Sequence, residues 1–151
     1  MKRQIAKGLA MLMVTLALAA ASAVVANGQS KAGLVAQVPF EFVVADQTLK
    51  AGEYRVAAID QAGETIAIRN AAGDSAIRLS ISKKRNGREK SAKLVFHRYG
   101  STYFLSEVWM TGEATGRELP KTRQERAIER ELKLASNGRT YETVIVVAMA
   151  R

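Results

Sequence analysis

Cysteine is missing from all 151 residues, histidine occurs once and proline twice. Without cysteine the chain has no disulfide framework, thiol nucleophile, cysteine-based zinc site or lipoprotein anchor. A single histidine, His97, leaves a His-rich metal site or a His-dependent triad short of parts. Gly-rich phosphate loops, nucleophile elbows, zinc spacings and calcium loops are absent too, so the sequence implies no cofactor and no metal. Acidic residues are the minority charge: 14 Asp plus Glu stand against 23 Lys plus Arg, a net +9. The length suits a single compact domain preceded by a short leader.

Residues 1–8 carry Lys2, Arg3 and Lys7 and no acid, and residues 9–26 carry no charge at all. A basic start, an apolar run and small residues at its end describe a secretory signal peptide. Ala21-Ser22-Ala23 and Val24-Val25-Ala26 both fit the small-x-small rule, which places cleavage after Ala23 or Ala26. An uncleaved anchor is the alternative, but 18 uncharged residues containing Thr15, Ser22 and much alanine lie at the short end of spanning length. The expectation is therefore a signal peptide at 1–26, a flexible tail at 27–33 and one domain at 34–151. Removal of Lys2, Arg3 and Lys7 lowers the net charge from +9 to +6. Export follows, to the periplasm or the outside of the cell, and the missing cysteines mean that folding does not rely on an oxidising compartment.

Beyond the tail, apolar residues alternate at period two, the mark of strands. Val38, Phe40, Phe42 and Val44 form the first set; Tyr54, Val56 and Ala58, then Ile66 and Ile68, then Ile77, Leu79 and Ile81 follow. Gly52, Gly63 and Gly73 punctuate them at short, even intervals, as in an antiparallel sandwich or a partly open barrel. Asn86-Gly87 favours a type I′ hairpin and Gly100-Ser101 a type II′ hairpin. With two-residue loops at both, Ile77 lies beside Phe96 and Leu105, and Leu79 beside Leu94 and Glu107. Ile81, Ala92 and Trp109 complete that apolar row, while Lys93, Val95, His97, Tyr99, Phe104, Ser106 and Val108 fall on the opposite face.

Helical periodicity occurs once. Thr122-x-x-Glu125 matches a capping box after Pro120, Ile128, Leu132 and Ala135 form a stripe, and Asn137-Gly138 supplies a stop. Glu129 and Lys133 are an i,i+4 pair. The stripe needs an apolar face to bury itself, and the face around Phe104 offers one. Tyr141, Thr143, Ile145, Val147 and Met149 then alternate, with Val144 and Val146 between them, so the last strand reads as buried on both sides. The expected fold is mainly β, about seven or eight strands with one helix before the last.

Several stretches carry a likeness: Val38-Pro39-Phe40-Glu41-Phe42, Ala51-Gly52-Glu53-Tyr54-Arg55-Val56 and Phe96-His97-Arg98-Tyr99-Gly100. Tyr103-Phe104-Leu105-Ser106-Glu107-Val108-Trp109 and Gly116-Arg117-Glu118-Leu119-Pro120 extend it. Together these resemble a group of small exported bacterial β-rich proteins of unassigned function, across most of residues 38–135. The resemblance implies an exported, mostly β protein and supplies no catalytic residue. At Lys50 the pattern leads one to expect proline, a difference in turn rigidity.

Three features are candidates for function. Lys83, Lys84, Arg85, Arg88, Lys90 and Lys93 surround Asn86-Gly87, opposed only by Glu89. They read either as a basic finger for acidic envelope polymer, lipid headgroups or nucleic acid, or as a solvated tip whose lysines block edge pairing. Nucleic acid is the weakest partner, because export separates the chain from it and the finger lacks aromatics for base stacking. Glu107 falls on the apolar face, where a carboxylate is protonated with a raised pKa, or paired, for instance with Arg55, Arg69 or Arg98, unless it sits at the sheet margin. His97 needs a nucleophile and an orienting carboxylate to act as a base, and the sequence names neither. The leading expectation is a non-enzymatic envelope or extracellular binding module working through the basic hairpin. Alternatives are a small hydrolase or isomerase using Glu107 or His97, and a subunit of a surface assembly joined through a sheet edge.

Overall fold

The computed structural model describes residues 33–135 and 140–151. The signal segment, the tail up to residue 32 and the Asn137-Gly138 stop lie outside the described residues. Twelve strands and one helix follow in the order β1 (Gly33–Val38), β2 (Phe42–Val44), β3 (Gln47–Leu49), β4 (Gly52–Ala58), β5 (Thr65–Arg69), β6 (Ser75–Leu79) and β7 (Ile81–Lys84). The chain continues with β8 (Lys93–Tyr99), β9 (Thr102–Trp109), β10 (Thr115–Glu118), α1 (Arg123–Ala135), β11 (Glu142–Val147) and β12 (Met149–Ala150). The fold is mainly β with its helix before the last strands, as the periodicity implied. No helix among the described residues is long and apolar enough to cross a membrane.

Two sheets form, neither closed into a barrel. The five-stranded sheet runs β12-β1-β4-β5-β6, and the seven-stranded sheet runs β11-β8-β9-β10-β7 with β2 and β3 attached. All pairings are antiparallel except β2 with β9, which meet in parallel at Val43 and Phe104. Between the sheets, Leu34, Val38, Phe42, Tyr54, Val56, Ile68, Leu94, Phe96 and Leu105 make one core. Phe42 packs edge-on against both Tyr54 and Phe96. Tyr54 buries its ring, and its hydroxyl donates to the Lys50 carbonyl at 2.8 Å, pinning the turn where proline was expected. A second cluster, Val43, Tyr99 and Phe104, lies on the far side of the seven-stranded sheet beneath Ile128, Leu132 and Tyr141. The helix thus covers the face around Phe104, the cover that its apolar stripe requires.

Three strand runs pass from one sheet to the other, at β1–β2, β6–β7 and β11–β12, and with β3 and β10, which the periodicity did not announce, they carry the strands beyond the seven or eight expected. β6 edges the five-stranded sheet and β7 the seven-stranded one, and the chain turns between them at buried Ser80, whose N–H donates to the Glu64 carbonyl at 2.6 Å. On the opposite side β11 leads into β12 through Ala148, whose N–H donates to the Ala92 carbonyl at 2.8 Å.

The register differs from expectation in three places. Gly100-Ser101 is the two-residue loop foreseen: Tyr99 faces Thr102, and Gly100 alone of the pair has positive φ. Asn86-Gly87 is not such a loop. β7 pairs with β10 rather than β8, and the Arg85 N–H donates to the Ala114 carbonyl while Glu89 exchanges bonds with residues 112 and 113. Ile77 therefore faces Ala67, Leu79 faces Thr65 and Ile81 faces Glu118, so none of the three reaches Phe96, Leu94 or Trp109. Instead they are 53, 66 and 57% exposed.

The second difference is a bulge. Phe96 faces Leu105 as expected, but Val95 faces Glu107 and Lys93 faces Trp109, leaving Ser106 as the extra residue. One inserted residue reverses the facing of everything beyond it. Val108, not Glu107, then joins Leu94 in the core, and Glu107 and Trp109 move to the side of Lys93, Val95 and His97. Third, β11 is not buried on both sides. Val144 and Val146 pack on the core, while Ile145 and Val147 are 55 and 68% exposed, since nothing among the described residues overlies that edge.

Candidate functional site

Polar groups gather on the outer side of the seven-stranded sheet, under the start of α1: alternation places His97, Tyr99 and Ser106 there, and the bulge adds Glu107. The Thr122 hydroxyl caps the helix by accepting the Glu125 N–H at 3.0 Å. The rest of the expected capping box does not form: Glu125 aims its carboxylate inward, because positions 125, 128 and 132 share the buried stripe. Its Oε1 accepts from His97 Nδ1 at 2.9 Å and from the Tyr99 hydroxyl at 3.2 Å. His97 Nε2 meets Ser106 Oγ at 3.1 Å, with Nδ1–H directed at the carboxylate and Nε2 able to accept the hydroxyl proton. The His97 ring also lies against Tyr141, centroids 4.0 Å apart. Burial, then the charge of Glu125, pushes the Tyr99 hydroxyl up from its ordinary value.

The sequence supplied His97 and no partners; the structure supplies Ser106, His97 and Glu125 in hydrogen-bonded order. Ser106 falls on the face of His97 by simple alternation from Phe104, and what the sequence did not show is its contact with the ring. Glu125 was legible in principle, as the acidic member of an apolar helical stripe. Order alone does not make a nucleophile, however. Ser106 and Glu125 are 4 and 3% exposed. One concavity is lined by Arg98, Gly100, Leu132 and Tyr141 and another by Phe40, Val43, Tyr103 and Gln124; His97, Ser106 and Glu107 line neither of these two. What the chain does chemically is satisfy buried polar groups: among the described residues no buried side-chain nitrogen or oxygen lacks a partner.

Glu107 shares this outer side with His97 rather than lying opposite it. It is paired, but with lysine and not with Arg55, Arg69 or Arg98: Lys83 Nζ is 2.6 Å from Oε1, and Trp109 Nε1 donates to Oε2 at 2.7 Å. Burial alone raises its pKa, yet the Lys83 and Trp109 hydrogen bonds and the charge of Lys83 outweigh it and hold the carboxyl below its ordinary value. A raised pKa for acid catalysis is thus not what this carboxylate has. The Trp109 ring rests on Gly116, where an added Cβ meets it at 2.5 Å.

The six expected binding cations divide into two groups. Lys83 is held by Glu107 and by Glu118 at 3.1 Å. Arg85 and Lys93 grip the two oxygens of Glu89 at 2.8 and 2.7 Å, and the hydrogen bond from Lys93 is the main cause that lowers the Glu89 pKa. Lys84, Arg88 and Lys90 are exposed and make no ion pair among the described residues. They lie in and beside the β7–β8 loop, which is not a hairpin but a strap across the 110–114 turn. Among the described residues no three His, Cys, Asp or Glu gather as a metal site. No family model, curated protein or solved structure matches the chain.

Proposed function

We propose that the chain is an exported, non-enzymatic binding module that holds an anionic partner on the β7–β8 loop. One observation carries this reading: Lys84, Arg88 and Lys90 are exposed without carboxylate partners, while the nearby Glu89 is neutralised twice over by Arg85 and Lys93. The three cations therefore stand free of ion pairs on a braced loop, outnumbering the exposed Glu113 of the turn beneath it. The leader-like residues 1–26 and the likeness to small exported β-rich proteins support export. The test is elution from immobilised heparin, used as a generic polyanion, by a salt gradient. The variant Lys84→Ser/Arg88→Ser/Lys90→Ser is expected to elute at clearly lower salt than the parent at unchanged melting temperature. Equal elution removes the proposal.

A second reading rests on the order Ser106–His97–Glu125, which is that of an acyl-transfer relay. It requires Ser106 to be reached by a substrate. Labelling of the folded chain by a fluorophosphonate, lost in Ser106→Ala, supports it; absence of label leaves the relay a structural clamp.

A further inference from the structure

Ile77 and Leu79 on β6 and Ile81 on β7 are alternate residues on either side of the crossing at Ser80, each more than half exposed. Ile59, 48% exposed, joins them across Thr65: its N–H donates to the Thr65 carbonyl, and Thr65 faces Leu79. The chain continues into Lys84 and Arg88, and of the five cations between residues 75 and 88 Lys83 and Arg85 are held by carboxylates, while Arg78, Lys84 and Arg88 make no ion pair among the described residues. An exposed aliphatic row of this extent is a contact surface rather than a scatter of single residues.

Charge decides what it contacts. An acidic polymer satisfies the cations and leaves the aliphatics in water. A second copy pairing through β6 covers the aliphatics but sets Arg78 and its neighbours against their own kind. A bilayer with anionic headgroups satisfies both, taking the aliphatics at the acyl boundary and the cations at the phosphates. We infer that the β6–β7 edge is an interfacial docking surface for anionic lipid, with Ile77, Leu79 and Ile81 entering the headgroup region. The inference rests on the anion-binding loop proposed above and names its partner. The opposite edge is a built-in contrast: Ile145, Val147 and Met149 are equally exposed, but residues 141–150 contain no Lys or Arg.

The absence of cysteine makes a site-specific test clean. Leu79→Cys and Val147→Cys, each in the full chain and labelled with an NBD fluorophore, are titrated with phosphatidylcholine vesicles with and without phosphatidylglycerol. The uncharged run at residues 9–26 can attach the chain to any vesicle, so the readout is the environment of the probe rather than attachment. The probe at 79 is expected to brighten and blue-shift with phosphatidylglycerol vesicles only, to revert at high salt and to stay unchanged in the Lys84→Ser/Arg88→Ser/Lys90→Ser background. The probe at 147 is expected not to respond. If the probe at 79 stays in water while heparin binding still needs the three cations, the anionic loop stands and the lipid inference falls. A response to rising protein concentration without vesicles means self-pairing, and an equal response to heparin alone means a polymer site; either overturns the inference. Loss of both the heparin and vesicle effects removes the two proposals together.

Discussion

The outer side of the seven-stranded sheet and the β6–β7 edge use the same residue types to opposite ends. Under α1, Glu125, His97, Tyr99 and Ser106 bond one another, and beside them Lys83, Glu107 and Trp109 do the same. Along the edge, Lys84, Arg88 and the three aliphatics have no such partners among the described residues. The difference teaches that a lysine's role is set by what the register brings to it: Lys83 and Lys84 are neighbours in sequence, and only Lys83 is structural.

Breaking the buried side should cost most. Glu125→Ala removes a carboxylate that takes two hydrogen bonds and should destabilise by about 3 kcal/mol, in the range for stripping one member of a buried polar pair. A drop in melting temperature no larger than that of Glu53→Ala would falsify the clamp. Gly116→Ala pushes a methyl into the Trp109 ring and should cost about 2 kcal/mol, visible as a change in tryptophan emission as well as in denaturant midpoint. Glu107→Ala frees Lys83 and the indole N–H and should cost about 1–2 kcal/mol.

The acid limb sharpens the same contrast. Glu107 and Glu89 have folded pKa values below the ordinary glutamate value of 4.5, so their contribution is present above that value and is lost as pH falls through the folded ones. Melting temperature should be flat from about pH 7 to 5 and drop below about 4.5. In Glu107→Gln the drop should be shallower, and an identical profile would show that the Lys83 pair contributes nothing. At the other extreme, Lys84→Ser/Arg88→Ser/Lys90→Ser should change stability by less than about 0.5 kcal/mol, as exposed unpaired sites do.

The class of fold was legible because burial imposes alternation, and the helix because its stripe and Thr122 cap are local signals. Gly100-Ser101 succeeded where Asn86-Gly87 failed for a physical reason. A turn-forming dipeptide states what the backbone can do, while whether the flanking strands meet depends on remote β10, which pairs with β7 in place of β8. The hairpin at Ala45-Asp46, both at positive φ, carried no glycine to announce it. The polar cluster was half visible. His97 stood out as the lone histidine, but the bulge at Ser106 is a property of two strands, and no spacing in one strand encodes it.

Gly33 and Arg151 exchange both backbone hydrogen bonds, at 3.0 and 2.8 Å, so β1 and β12 meet at their outermost residues. Tension applied across these two positions therefore loads the ladder one rung at a time, peeling it rather than shearing it. The sandwich should yield at low force when held there, even though its core is fully packed. A chain tethered at one end to a surface and pulled at the other would lose β12 first, releasing β11 from its crossing while the β1–β4–β5–β6 sheet stays intact.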